Sequence, residues 1–289
     1  MRIRGIFEFT ASLMGMPRIR FAVTTGPRGR LISLGLIAAT LLGACGATSA
    51  AKTMSRTTTS TSSTTTTTEY QSRVMSVTTT TLVTAESLSA GSSLVGEAMA
   101  NVEIYEWPAV AAPSQTLEAA TPLGSPRVFL VERGPIDGWV EVALPIRPNG
   151  STGWVRTDDL ELDVVGQAIV VDLTGRWLRL EQGDEILLET EVAIGSPHNP
   201  TPVGNYFVTD VVELADPTGP WGPFALGLSA FSDTITEFNG GDGVIGIHGT
   251  NRPASIGEPV SLGCVRVPNE VAIRLADLVK LGTPVEIKA

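Results

Sequence analysis

The sequence predicts a mainly β protein with one helix near its C-terminus, and two observations support this. Glycine and proline are frequent, with 30 and 19 copies in 289 residues, which favours turns and short strands over long helices. Short apolar runs alternate with turn residues through much of the chain, and only one late segment has helical spacing. The length allows about two folded domains, each with its own core.

The first 44 residues have the order of a secretory signal. Arginines precede an apolar run at positions 31–42, and small residues follow before Cys45. This run is too short to cross a hydrocarbon layer of about 30 Å, although an uncleaved anchor helix remains the alternative. The ending Leu-Gly-Ala-Cys resembles the lipobox of bacterial lipoproteins, whose signal is cut before a lipidated cysteine. This resemblance implies a membrane anchor on Cys45 and an extracytoplasmic lipoprotein that faces the cell wall.

Residues 45–90 predict a disordered tether. They are rich in Thr and Ser, have few large apolar side chains and show no periodic pattern, so burial cannot offset the entropy of ordering.

Cleavage before Cys45 would leave 14 basic and 29 acidic residues. Since no basic patch lies outside the N-terminus, this balance argues against nucleic acid as a partner.

Residues 91–163 predict a small β domain. Four strand-like runs lie at 102–107, 127–132, 138–144 and 153–156. Turn residues, for example those at 148–150, separate them. The repeated Gly-Trp-Val at 138–140 and 153–155 resembles a bacterial Src-homology-3-like barrel, a module that often binds cell-wall peptides. Because large aromatic side chains usually serve burial, we interpret Trp139 and Trp154 as core residues.

Residues 167–288 predict a second β domain. Runs at 168–173, 176–181 and 185–194 alternate with turn residues, which indicates consecutive hairpins. A helix follows after residues 268–270, which we expect to cap it, and it stops before Gly282. The residues that fall on its apolar face are Val271, Leu275, Leu278 and Val279. Residues 283–288 then predict a closing strand.

Cys264 and His248 are the candidate catalytic residues. Secreted proteins normally pair their cysteines, and if Cys45 is lipidated then Cys264 has no partner. A lone thiol is either buried and inert or a nucleophile. His248 precedes it across a loop that contains Gly and Pro, and an imidazole that accepts the thiol proton improves the nucleophile. The other histidine, His198, is predicted to be exposed and without catalytic duty, and this set does not make a zinc site.

The segments around these two residues carry a specific resemblance. His248-Gly249-Thr250, followed by Ser-x-Gly-Cys-x-Arg at positions 261–266, resembles the signature of the L,D-transpeptidase (YkuD-type) catalytic domain. The resemblance covers about residues 167–287. Supporting matches lie at 201–206, 222–226 and 282–285. The order also matters, because papain-like and related cysteine peptidases place the cysteine before the histidine.

The resemblance implies a β-sandwich-like domain with a cysteine acyl-transfer site and no cofactor or metal. Cys264 would attack a tetrapeptide stem of peptidoglycan and release D-alanine, with His248 as base and then acid and the carbonyl of Gly249 orienting the imidazole. The backbone N–H groups of the oxyanion hole would come from Leu262, Gly263 and Cys264. The residues that support the loop or the substrate would be Ser261, Arg266 and Tyr206. A side-chain amine of a second stem would accept the acyl group, and carbapenem β-lactams are the expected inhibitors.

Three alternatives stay open at this point. Water could accept the acyl group instead, which would make the protein an L,D-carboxypeptidase. The family usually has His where this chain has Leu262, which leaves a non-catalytic peptidoglycan-binding lipoprotein as another reading. We expect activity to survive, because a backbone N–H at that position serves the oxyanion equally well. For Arg266, an ordinary surface ion pair is the alternative.

Overall fold

The computed structural model describes residues 88, 90–238 and 240–289. In this part the chain is mainly β with one α-helix, as predicted. The predicted signal, the lipid site at Cys45 and nearly all of the predicted tether lie outside the described residues. Within them, no helix combines the length and the hydropathy that crossing a membrane requires.

Seven strands form the first β region. Their bounds are β1 (Ser93–Ala98), β2 (Val102–Ile104), β3 (Gln115–Leu117), β4 (Val128–Ile136), β5 (Trp139–Ala143), β6 (Thr152–Arg156) and β7 (Leu160–Val165). Five of them make one sheet in the order β6-β5-β4-β1-β7, and β2 pairs with β3. Trp139 and Trp154 are 8% and 5% exposed and cluster with Tyr105, so their interpretation as core residues is confirmed.

The second β region contains ten strands and the helix. Their bounds are β8 (Ala168–Asp172), β9 (Trp177–Gln182), β10 (Glu185–Glu191), β11 (Ile194–Gly195), β12 (Gly204–Glu213), β13 (Phe224–Phe231), β14 (Val244–His248), β15 (Pro259–Ser261), β16 (Val265–Arg266), α1 (Asn269–Leu278) and β17 (Pro284–Lys288). Eight strands form one sheet in the order β10-β9-β8-β17-β12-β13-β14-β16. The consecutive hairpins β8-β9-β10 are confirmed.

The helix lies where the sequence predicts it, but its predicted cap is wrong. Pro268 occupies the N-cap position and makes no side-chain capping hydrogen bond. The Asn269 side chain instead accepts a hydrogen bond from the Thr250 N–H at 2.7 Å. The start of the helix therefore fastens the segment that follows His248. Ala272 and Leu275 are buried in the core of the large sheet.

The two β regions pack against each other. Val95, Val128 and Val165 of the first region form a small apolar cluster that Leu281 of the second region joins. The Thr121 hydroxyl donates to the buried carboxylate of Asp210 on β12. These contacts fix the first region beside the large sheet.

Candidate active site

Strand register brings His248 and Cys264 to one face of the large sheet. His248 ends β14, and Cys264 directly precedes β16. The two strands pair in parallel, with His248 opposite Arg266. Paired residues on neighbouring strands share a face, and residues two apart on one strand share it as well. The side chains of His248, Arg266 and Cys264 therefore lie on the same face, although residues 249–263 separate them in sequence.

The His248 imidazole is held in one orientation by its neighbour. Its Nδ1 lies 2.6 Å from the carbonyl oxygen of Gly249, which is the contact that the sequence predicts. A carbonyl oxygen only accepts, so the Nδ1 carries the proton of the neutral ring and the Nε2 is left as an acceptor. Burial lowers the pKa of His248, the Gly249 hydrogen bond opposes this, and the charge of Arg266 lowers the pKa further. The imidazole is therefore neutral at pH 7 and able to take a proton.

Cys264 is a free cysteine of intermediate exposure as a residue, and its thiol group is largely buried. Burial raises the pKa of the thiol, while a backbone hydrogen bond from Gly246 and the charge of Arg266 lower it. Since the pKa of His248 is shifted down and that of Cys264 up, the resting pair at pH 7 is a neutral imidazole and a neutral thiol. Such a pair reacts by general-base catalysis, in which the proton moves as the sulfur attacks.

Two buried hydroxyls fasten the loop that carries Cys264. Ser261 donates to the Cys264 carbonyl at 2.6 Å and accepts from the Gly263 N–H at 3.1 Å. Thr201 donates to the Gly263 carbonyl at 2.8 Å and accepts from the Gly195 N–H at the same distance. The geometry agrees with the supporting role predicted for Ser261. Thr201 is a second support, which the sequence indicated only as part of a motif.

The structure corrects one predicted oxyanion donor and shows what Tyr206 contacts. The Gly263 N–H already donates to Ser261, so this oxyanion donor is occupied and the predicted hole is left with Leu262 and Cys264. Tyr206 is only 3% exposed, lies in the core cluster and donates its hydroxyl to the Val203 carbonyl at 3.2 Å. Tyr206 therefore supports the start of β12, which is one of the two roles predicted for it.

Arg266 places a positive charge near the side chains of His248 and Cys264. It forms no salt bridge among the described residues, so the surface ion pair considered as an alternative is absent there. Its Nε is buried without a hydrogen-bond partner. Burial lowers the pKa of Arg266, nearby Arg252 lowers it further, and Cys264 raises it. The positive charge of Arg266 lowers the pKa of both His248 and Cys264.

Trp221 is a site residue that sequence reasoning missed. Its ring stacks on the His248 imidazole, with centroids 5.8 Å apart and planes inclined by 28°. The Trp221 side chain is 41% exposed, so it covers the imidazole from the solvent side. It belongs to a turn closed by a hydrogen bond from the Gly222 N–H to the Gly219 carbonyl at 3.1 Å. The sequence signal was its position directly before the family-like segment at 222–226.

The structure shows no metal centre in the part of the chain that it describes. No group of three or more His, Cys, Asp or Glu residues is arranged there to hold an ion. His198, the histidine outside the site, is exposed, as predicted.

The fold and the site define an L,D-transpeptidase catalytic domain. The family model described as the L,D-transpeptidase catalytic domain, YkuD, matches residues 166–287, and the chain belongs to this family. The YkuD protein of Bacillus licheniformis is 36% identical over 125 residues, and that of Bacillus subtilis is 34% identical over 119 residues. The matches cover 43% and 41% of this chain and 67% and 64% of the two relatives. Among solved structures, the L,D-transpeptidase from Mycobacterium smegmatis is 17% identical, with a TM-score of 0.36. The match covers 65% of this chain and 99% of the Mycobacterium smegmatis chain.

Proposed function

We propose that this protein is a cell-wall L,D-transpeptidase that cross-links peptidoglycan through an acyl-enzyme on Cys264. The observation that carries the proposal is the parallel register of β14 and β16, which sets an oriented, neutral imidazole on the same face as a free thiol. Membership of the family supplies the substrate class. No cofactor enters the proposed reaction.

The reaction would begin with the thiol and the imidazole both neutral. As the sulfur of Cys264 attacks the carbonyl carbon of a tetrapeptide stem, His248 Nε2 takes the thiol proton and the carbonyl oxygen becomes an oxyanion. Backbone N–H groups of Leu262 and Cys264 would stabilise that oxyanion, and losing one such donor typically costs about 3 kcal/mol. Collapse of the intermediate breaks the C–N bond, and the imidazolium returns its proton to the departing amine of D-alanine.

A second stem would then resolve the thioester. Its side-chain amine attacks the thioester carbon, His248 accepts the proton released by that amine, and the sulfur leaves and is protonated again. The Arg266 guanidinium, whose charge acts on both His248 and Cys264, would attract a carboxylate of the substrate. A cavity of about 540 Å³ lies at the start of α1, and neither His248 nor Cys264 lines it. Its lining includes Thr250, Asn251, Asn269, Pro217 and Thr218.

The rest of the chain suggests where the enzyme works. We propose that Cys45 carries a lipid, that the Thr- and Ser-rich segment is a tether, and that the enzyme faces the cell wall from the membrane. The first β region would act as a Src-homology-3-like module that binds cell-wall peptides. Sequencing the lipid-modified N-terminal peptide of the cell-extracted protein would test the anchor.

Acylation by a carbapenem tests the proposed function. We expect intact-mass spectrometry of the protein, purified without its N-terminal signal, to show one covalent adduct at pH 7. Cys264→Ala is expected to form none, because the attacking sulfur is gone. Unmodified wild-type protein would support the non-catalytic reading that Leu262 suggests. Product analysis with purified stems would then distinguish cross-linked dimers from the tripeptides that an L,D-carboxypeptidase releases.

Removing the Trp221 ring is expected to affect both the rate and its pH dependence. Trp221→Ala should slow acylation at pH 7 by about 2- to 10-fold, because an aromatic pair contributes about 0.5–1.5 kcal/mol. It also exposes the imidazole, so the pKa of His248 should rise toward the ordinary value of about 6.5. Only the neutral imidazole accepts a proton, so the acid limb of the pH–rate profile should move to higher pH.

Trp221→Phe is the matched control, because it keeps a ring over the imidazole. Its rate and its profile should stay close to those of the wild type. If the Trp221→Ala profile coincides with that of the wild type, the stack does not position His248.

A further inference from the structure

The connection between β13 and β14 has a narrow neck, which we define as residues 231–235 and 242–243. The Ser232 N–H closes it with a hydrogen bond to the Gly243 carbonyl at 2.9 Å. The neck lies beside the loop of the catalytic cysteine: a Cβ built on Gly263 would be 4.0 Å from the Ser232 hydroxyl oxygen. The neck therefore forms part of the wall behind the Cys264 loop.

Two side chains of the first β region hold this neck. The Arg147 guanidinium donates to the carbonyls of Ser232 at 2.9 Å, Ile235 at 3.2 Å and Asp242 at 2.9 Å. It thus bonds to both sides of the neck, and it also lies over the Phe231 ring, 5.1 Å from the centroid. The Asn149 amide donates to the Phe231 carbonyl at 2.8 Å and accepts from the Phe231 N–H at 2.9 Å.

The chemistry of these contacts makes them specific, and we call Arg147 and Asn149 together the brace. Arg147 carries several N–H donors in a planar fork, which suits three carbonyls at fixed positions better than a single ammonium would. Asn149 offers one acceptor and a donor pair, so it satisfies both backbone groups of one residue. Hydrogen bonds from a charged donor are about twice as strong as neutral ones. Both residues lie outside residues 166–287, the segment that defines the family.

The brace is linked to the Cys264 loop by further hydrogen bonds. The Thr234 hydroxyl, inside the neck, donates to the Asn199 side chain at 3.0 Å. Asn199 belongs to a turn whose Ser196 N–H donates to the Ser261 carbonyl at 3.0 Å. Thr201, two residues further along, bonds to the Gly263 carbonyl at 2.8 Å. A displacement of the neck therefore reaches both ends of the segment that leads into Cys264.

We propose that Arg147 and Asn149 are positioning residues of the active site, through which the first β region holds the Cys264 loop in its reactive geometry. They touch neither the thiol nor the imidazole and act through the neck. The proposal rests on the proposed function for its kinetic readout. It makes the first β region part of the catalytic apparatus.

The test compares Arg147→Ala, Arg147→Lys and Asn149→Ala with the wild type. The matched control is Arg133→Ala, which removes an arginine of the same region that pairs with Glu141 on the surface at 3.4 Å. The carbapenem acylation rate should fall by about 10- to 100-fold in Arg147→Ala, because small misplacements at a reacting centre cost up to that much. Arg147→Lys should resemble Arg147→Ala, Asn149→Ala should show a smaller loss, and Arg133→Ala should match the wild type.

Two further measurements separate positioning from folding. Alkylation of Cys264 by iodoacetamide also requires loss of the thiol proton, so its rate should change in folded Arg147→Ala and stay at the wild-type value in Arg133→Ala. Backbone hydrogen exchange in residues 261–264 should be faster in Arg147→Ala and unchanged in Arg133→Ala. A lower melting temperature with unchanged acylation and exchange would overturn the proposal.

The failure of the proposed function would look different. Wild-type protein that no carbapenem acylates would count against the transpeptidase assignment alone. Hydrogen exchange in residues 261–264 would still decide whether Arg147 and Asn149 hold the loop. Equal exchange in the wild type and both alanine variants would overturn the brace in that case as well.

Discussion

Replacing His248 with glutamine is expected to slow the acylation of Cys264 by about 10²- to 10⁴-fold at pH 7, the usual contribution of a positioned general base. Glutamine cannot accept the thiol proton, and burial raises the pKa of Cys264, so little thiolate is present to react unaided. The loss should diminish as the pH rises toward the range in which the thiol ionises by itself. Time-resolved intact-mass measurements with a carbapenem, repeated at several pH values, would show both effects.

The second histidine provides the control for this variant. His198→Gln replaces an exposed side chain and leaves the backbone hydrogen bond from Ser196 to Ser261 in place, so it should acylate at the wild-type rate. If His248→Gln retained the wild-type rate at pH 7, the imidazole would not be the base. A thiol that is already ionised at rest would then have to be considered, against the direction of its pKa shift.

Gly222→Ala is expected to reduce the acylation rate on the order of 10²-fold, the effect of about 1 Å of misplacement at a reacting centre. A Cβ at this position would lie 2.5 Å from Asn269 Oδ1 and 2.7 Å from Gly249 Cα. Both separations are shorter than van der Waals contact, so the Gly249 backbone has to shift. The carbonyl that orients the imidazole would shift with it. Acylation would be measured at a temperature at which the variant is fully folded.

Gly138→Ala separates this clash from backbone strain. Gly138 has a φ of 81°, similar to the 65° of Gly222, and a Cβ there would meet no atom within 4 Å. It should lose about 1–2 kcal/mol of stability from the left-handed backbone and keep its acylation rate. Equal rates for the two variants would mean that the contact between Gly222 and Gly249 does not control the imidazole.

Local patterns predicted the parts of the fold in which one face is buried. Along β9, buried residues alternate with more exposed ones, which is the period-two signal that indicated the hairpins. β12 has five consecutive buried residues, and β13 ends in four. A strand buried on both faces lacks this alternation, so no comparable pattern indicated the strands at the centre of the sheet.

The candidate site was predictable where short motifs carry it. The contact of His248 with the Gly249 carbonyl joins adjacent residues, so the motif contained it. Trp221, Arg147 and Asn149 reach the site through tertiary packing, and spacing along the chain does not show such contacts. Asn269 has the residue type of a helix cap, but its side chain bonds to Thr250 instead. Here a long-range partner replaced the local one.

β17 lies between β8 and β12, so the middle of the large sheet comes from the C-terminal part of the chain. Val285 pairs with Ile169 on one side and with Tyr206 on the other. The strand that joins the two halves of the sheet therefore follows the segments of His248 and Cys264 in the chain. Pairings of such wide sequence separation form slowly. Thiol reactivity of the kind derived for Cys264 should accordingly appear only once β17 has paired with both β8 and β12.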